Sequence, residues 1–146
     1  MINNNFEKKL KSKEFVFTAE TSPPDSTVRS EITDRVLCLK DLADAINVTD
    51  GASAKSHLSS LVVSSIIKDI EIEPILQLTT RDRNRIAIQS DLLGAWTLNI
   101  QNILCIYGDQ VETGDQPEAK EVRDLDTLGV INLSLIHISE PTRRVL

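Results

Sequence analysis

Cysteine, glycine and aromatic residues are all scarce in this chain. Its 146 residues include two cysteines, five glycines, one tryptophan, one tyrosine and three phenylalanines. Cys38 and Cys105 stand far apart with no companions, which excludes a disulfide framework and a zinc-ligand spacing. No glycine falls into a GxGxxG or P-loop pattern, so a standard dinucleotide fingerprint and a phosphate-cradling NTPase loop are both disfavoured. Long apolar runs are missing. The stretch over residues 60–67 is among the longest, contains three serines and is too short to span a bilayer. The first five residues, Met1 to Asn5, are polar and lack an apolar signal core. These absences lead to the expectation of a reducing, cytoplasmic compartment and no membrane partner. Positive charge is also in deficit. Sixteen lysines and arginines face 22 aspartates and glutamates, a net charge of −6, whereas a general nucleic-acid binder needs a basic face.

What is present is an ordinary globular composition, 40% hydrophobic and 26% charged, at a length that suits one domain with a real core. Four strand-like runs occupy residues 14–20, 45–50, 73–79 and 102–107. Their spacing of about 30 residues is that of one βα unit. Pro74 can open a strand but could not sit inside a central one. Between the runs lie helical stripes: Ile32, Val36, Leu39 and Ala43; then Leu58, Leu61, Val62, Ser65 and Ile66; then Ile88, Leu92, Ala95 and Trp96. Ser53 is the expected N-cap of the second helix, Asn99 the left-handed residue that ends the third, and Trp96 a packing residue. His57 is read as a surface or packing residue on the second helix.

Strand–helix alternation with short connections implies parallel strands covered by helices. Two architectures fit, a (β/α)8 TIM barrel and an open doubly wound sheet. Four units cannot close an eight-stranded barrel, which needs roughly 250 residues. The barrel is therefore expected only as a truncated form of about four βα units. The tail gives an independent reason to expect truncation. Residues 134–143 (SLIHISEPTR) match one reading frame of a transposase-type sequencing adapter. The expected native region is thus residues 1–132, with 133–146 a non-native tail in which His137 carries no chemistry.

Both architectures present ligands to the C-terminal strand ends, and these ends are polar here. They carry Glu20-Thr21-Ser22, Thr49-Asp50-Gly51, Gln77 with Thr79 to Arg85, and Tyr107-Gly108-Asp109. Glu20 and Asp109, on different strands, could converge on one mouth, where unlike environments would let one serve as an acid while the other stays ionised. From spacing alone a solvated Glu20 and a turn or cap role for Asp109 are equally good readings. Asp50-Gly51 is a common turn dipeptide. Arg81, Arg83 and Arg85 could bind phosphate, but with Asp82 among them a solvated, internally paired loop is favoured.

Four segments, residues 15–24 (FVFTAETSPP), 47–50 (NVTD), 73–85 (EPILQLTTRDRNR) and 102–109 (NILCIYGD), followed by 115–120 (DQPEAK), resemble methylenetetrahydrofolate reductase in order and spacing. The resemblance spans about residues 15–131 and implies the N-terminal half of an eight-stranded β/α barrel. It implies FAD as cofactor, NAD(P)H as electron donor and a folate substrate, 5,10-methylenetetrahydrofolate reduced to 5-methyltetrahydrofolate in one-carbon metabolism and methionine biosynthesis. It further implies a homo-oligomeric full-length protein. It makes Glu20 the general acid and places Asp109 near flavin and pterin. It assigns flavin contacts to Thr49, Gln77, Tyr107, Gly108 and Asp109. Many family members carry histidine where this chain has Gln77, and arginine where it has Tyr107. A folate-linked methyltransferase barrel and a non-catalytic half-barrel are the alternatives.

Overall fold

The computed structural model describes residues 5–139; residues 140–146 of the expected non-native tail lie outside the described residues. An N-terminal helix α1 (Asn5–Ser12) precedes four βα units. These run β1 (Thr18–Thr21), α2 (Arg29–Leu37), β2 (Ala45–Val48), α3 (Ser60–Asp69), β3 (Pro74–Thr79), α4 (Arg85–Thr97), β4 (Asn102–Ile106) and α5 (Thr127–Ser139). The strands form one sheet in the order β1-β2-β3-β4, every neighbouring pair parallel. A doubly wound sheet reverses its strand order at a switch point. No reversal occurs here, so of the two architectures the sheet is that of a partial TIM-like barrel.

The period-2 alternation of a strand splits the sheet into two unlike faces. Ile46 and Val48 pack against Ile32 and Val36 of α2 and Val63, Ile66 and Ile67 of α3. Leu76 meets Ala95 and Ile100, and Leu78 meets Ile88 and Leu92 of α4 and Val130 of α5. Each such fully buried side chain stabilises the fold by about 1.5–3 kcal/mol. The alternate positions, Glu20, Asn47, Gln77, Leu104 and Ile106, lie on the opposite face, and Leu104 is 42% exposed there.

Several local expectations are corrected. The first strand starts at Thr18 rather than residue 14, because β2 begins opposite Thr18 and offers no ladder earlier. Phe15 is 86% exposed, and Phe17 is held by Asp44 instead, its amide donating to the carboxylate at 3.0 Å. Helix α2 ends at Leu37, leaving Leu39 and Ala43 in the turn that follows. Helix α3 buries Val63 and Ser64 and exposes Val62, so its core face is rotated from the expected stripe. Ser53 caps nothing; it sits at φ 55° in a short 3-10 turn, and Ser59 precedes α3. His57 is half-buried in the segment before α3, not on it. Trp96 is 41% exposed, so it is not a core residue. Asn99 does adopt the left-handed conformation at φ 59°. The Ile100 amide reaches the Ala95 carbonyl and the Asn99 amide the Trp96 carbonyl, the paired bonds of a Schellman stop. Helix α5 runs to Ser139, with Leu133 packed on the α4 cluster and Ser134 buried, which bears on packing and not on the expected 132/133 boundary.

The outer edges of β1 and β4 pair with no strand among the described residues. Unpaired edges beside a partly apolar open face invite pairing with other chains. The expressed chain is therefore expected to be oligomeric or poorly soluble, as measured by size-exclusion chromatography with light scattering. A sharp monomer peak with cooperative unfolding would contradict this.

Candidate functional site

Parallel strands in sequential order leave all their strand-to-helix loops on one rim. A cleft of about 410 Å3 opens there between the loops after β2 and β4, lined by Thr49, Asp50, Gly51, Gln77, Ile106, Gly108 and Asp109 among others. Its base is an ion network. Asp50, 8% exposed, accepts from the Thr79 amide at 2.9 Å, the Ser60 hydroxyl at 3.2 Å and Arg83 Nη1 at 2.6 Å. Arg83 Nε donates to Asp91 at 2.8 Å. Burial opposes the Arg83 charge, but the attraction of Asp50 and Asp91 outweighs it and raises the guanidinium above its ordinary value. The Asp50 amide in turn approaches Gln77 Oε1 at 3.4 Å.

Arg81 is 3% exposed and forks onto Asp82 through two bonds of 2.8 Å. Its Nη1 also reaches the carbonyls of Gly51 and Asp109, each at 3.4 Å, tying the two loops together from beneath. Gly51 is required where it stands. Its φ is +58°, and a Cβ would lie 2.4 Å from Arg81 Nη2. The expected internal pairing of the arginine loop is present, but the expected solvation is not: Arg81 and Arg83 are structural, and only Arg85, paired with Asp124, is exposed. From the far side Arg123 lies 3.8 Å over the Tyr107 ring. It donates to the carbonyls of Tyr107, Gly108 and Asp109 at 2.8, 3.3 and 3.2 Å, and pairs with Glu121.

Of the sequence-derived site residues, Thr49, Gln77, Gly108 and Asp109 are brought together at this cleft. Tyr107 is next in the chain, but its ring is turned to Arg123 and does not line the cleft. Glu20 ends at the same rim on β1, where its carboxylate accepts from Asn47 Nδ2 at 2.8 Å. β2 and β3 separate it from β4, so it and Asp109 face each other across up to about 14 Å of sheet rather than touching. Thr49 Oγ1 is buried without a hydrogen-bond partner. Among the described residues no cluster of His, Cys, Asp and Glu could hold a metal ion, and no helix is long and apolar enough to cross a membrane.

The family model of methylenetetrahydrofolate reductase matches residues 5–136. The chain belongs to the methylenetetrahydrofolate reductase family. No curated protein sequence matches it. Of the expected site residues, Thr49, Gln77, Gly108 and Asp109 line the cleft and Glu20 and Tyr107 do not, while the residues that support the cleft were given no such role from the sequence. Asp50 looked like an ordinary turn residue because nothing in the sequence joins it to Arg83, 33 positions on. Asn47 lies in the NVTD segment but was given no role of its own, and Arg123 carried no motif.

Two outcomes follow from the network. Replacing Arg83 with methionine strands two carboxylates, one of them buried, and is expected to lower the unfolding free energy by about 3 kcal/mol in urea titrations. Glu121 is lowered from 4.5 to about 2, chiefly by the Arg123 hydrogen bond and then by the Val111 amide. A depressed carboxylate stabilises the folded state fully above its unfolded value. The clamp on the β4 loop is therefore complete above about pH 4.5 and lost only as pH falls toward 2. Carbon-13 NMR of the Glu121 carboxyl should show a midpoint near 2, and an ordinary midpoint would show the clamp to be absent.

Proposed function

We propose that this chain contributes the N-terminal βα units of an FAD-dependent reductase that converts 5,10-methylenetetrahydrofolate to 5-methyltetrahydrofolate with NAD(P)H as donor. Family membership over residues 5–136 carries this reading, and the cleft between the β2 and β4 loops supports it. The residues fit the cofactor. The buried, unpartnered Thr49 Oγ1 stands beside an open cleft and lacks only a ligand partner. Thr49, Gln77, Gly108 and Asp109, with the Tyr107 backbone, would hold FAD. When bound, FAD supplies hydride transfer between NAD(P)H and the folate.

The protein's own work is acid–base and electrostatic. Opening the one-carbon bridge breaks a carbon–nitrogen bond. The electron pair goes to the leaving nitrogen, which must take a proton, and a cationic iminium remains at the other nitrogen. Glu20 is the donor of that proton. Asp109 stabilises the cation. Its backbone carbonyl is fixed by Arg81 and Arg123, and its carboxylate carries no ion pair among the described residues. Hydride addition to the bridge carbon then gives the methyl group. The substrate sits between the two carboxylates, which matches their placement at opposite edges of the sheet.

The test is to incubate the chain with FAD, remove free cofactor and measure the bound flavin absorbance. Flavin should be retained and should be lost in Thr49→Val. Where turnover is measurable, Glu20→Gln should lower methyltetrahydrofolate formation by about 10²–10⁴-fold while leaving flavin binding intact. A colourless protein that still binds folate would instead favour a folate-linked methyltransferase. Binding of neither would make this a non-catalytic half-barrel.

A further inference from the structure

Glu20 and Asn47 are cross-strand partners in the β1–β2 ladder, so both side chains leave the same face of the sheet. Asn47 Nδ2 donates to Glu20 Oε2 at 2.8 Å, while Asn47 Oδ1 is buried with no partner. A buried acceptor left unmade is costly and asks for an explanation. The groups around Glu20 give none in terms of charge. β2 presents the uncharged Ala45, Asn47 and Thr49. From α2, Arg35 reaches the Ser22 carbonyl at 3.3 Å rather than the carboxylate. Below, Asp44 is paired with Lys9, and Asp109 stands at the far edge of the sheet. No ion pair reaches Glu20 among the described residues. Among the described residues, Asn47 is the one polar side chain bonded to it.

We infer that Asn47 is the positioning residue of Glu20, holding its side chain in both protonation states by rotating its own amide. An ionised carboxylate only accepts, and Nδ2 faces it as observed. A protonated carboxyl also donates, and Asn47 Oδ1 is the acceptor carried by the side chain already bonded to exposed Glu20. Turning the amide by half a revolution presents Oδ1 to the Glu20 hydroxyl. The turn breaks one hydrogen bond and makes one. The turn exchanges which end of the amide faces Glu20, so Asn47 keeps one bond to the carboxyl in each state. A lysine at this position would lock the ionised form, an aspartate would repel it, and a leucine would hold neither. An amide suits a carboxyl that has to gain and lose a proton in place. This role rests on Glu20 being the proton donor, but the coupling itself needs neither flavin nor folate.

The experiment is a pH titration of the isotope-labelled chain by NMR, in the solid state if the chain self-associates. It follows the Glu20 carboxyl carbon and the Asn47 side-chain amide nitrogen, with Glu20→Gln identifying the first and serving as control for the second. The expected result is one shared midpoint for both signals and a flat Asn47 signal in Glu20→Gln. In Asn47→Leu the Glu20 signal should lose any coupling to residue 47, while in the wild-type chain the two signals move together. An Asn47 amide that does not change through the Glu20 titration overturns the proposal even if the leucine variant fails to fold. A shared midpoint in a chain that fails to bind flavin would leave the pair standing and count against the proposed flavin site.

Discussion

Asp50 sits where β2, β3, α3 and the loop into α4 meet, and its carboxylate is bonded to a group from each of the last three. A carboxylate this buried persists only when its lone pairs are filled and its charge is matched. Arg83 matches it, and Asp91 on α4 shares the guanidinium. The strand ends are therefore fixed by side-chain chemistry as well as by the ladder. The cleft above inherits that rigidity, because Thr49 and Gly51 flank Asp50 in the chain and Gln77 touches its amide. Arg81 extends the same arrangement across to the β4 loop, and Gly51 makes room for it.

The sheet imposes the complementary constraint. Helices cover only the face that carries Ile46, Val48, Leu76 and Leu78. The opposite face holds Glu20, Asn47 and Gln77 together with exposed Leu104, a mixture of polar and apolar groups unlike a sealed core. Fold and site thus share one periodicity. The even-odd alternation that gives the helices their apolar partners also places the chemistry-bearing side chains on the other side.

The order of elements was legible in the sequence because it depends on patterns within short windows, and β2, β3, β4, α4 and the Asn99 stop follow the reading closely. The failures have physical causes. Residues 14–17 look like strand, but a strand needs a partner at its own level and β2 starts too late to supply one. The α3 stripe was placed on the wrong side of the helix because apolar Leu61-Val62-Val63 and Ile66-Ile67 run consecutively, flanking two serines, and allow more than one face to be drawn. At the rim, the cleft residues were legible as polar strand ends joined to a family resemblance. The supports were not: Asp50 to Arg83, Ser60 to Asp50 and Arg123 to the Gly108 and Asp109 carbonyls are contacts between separate loops and elements, created only by the fold.

The electrostatic inventory of the rim narrows what this part of the barrel can offer a ligand. Arg81, Arg83, Arg85 and Arg123 are each paired with carboxylates: Asp82, Asp50 with Asp91, Asp124 and Glu121. Guanidinium groups already forked onto carboxylates have little left for an incoming phosphate. Glu20 and Asp109 are the site carboxylates outside these pairs among the described residues. What remains for a ligand is therefore a set of uncharged partners, Thr49, Gln77 and the Gly108 backbone, between two carboxylates that form no direct ion pair among the described residues. That arrangement suits a neutral ring system on which positive charge develops.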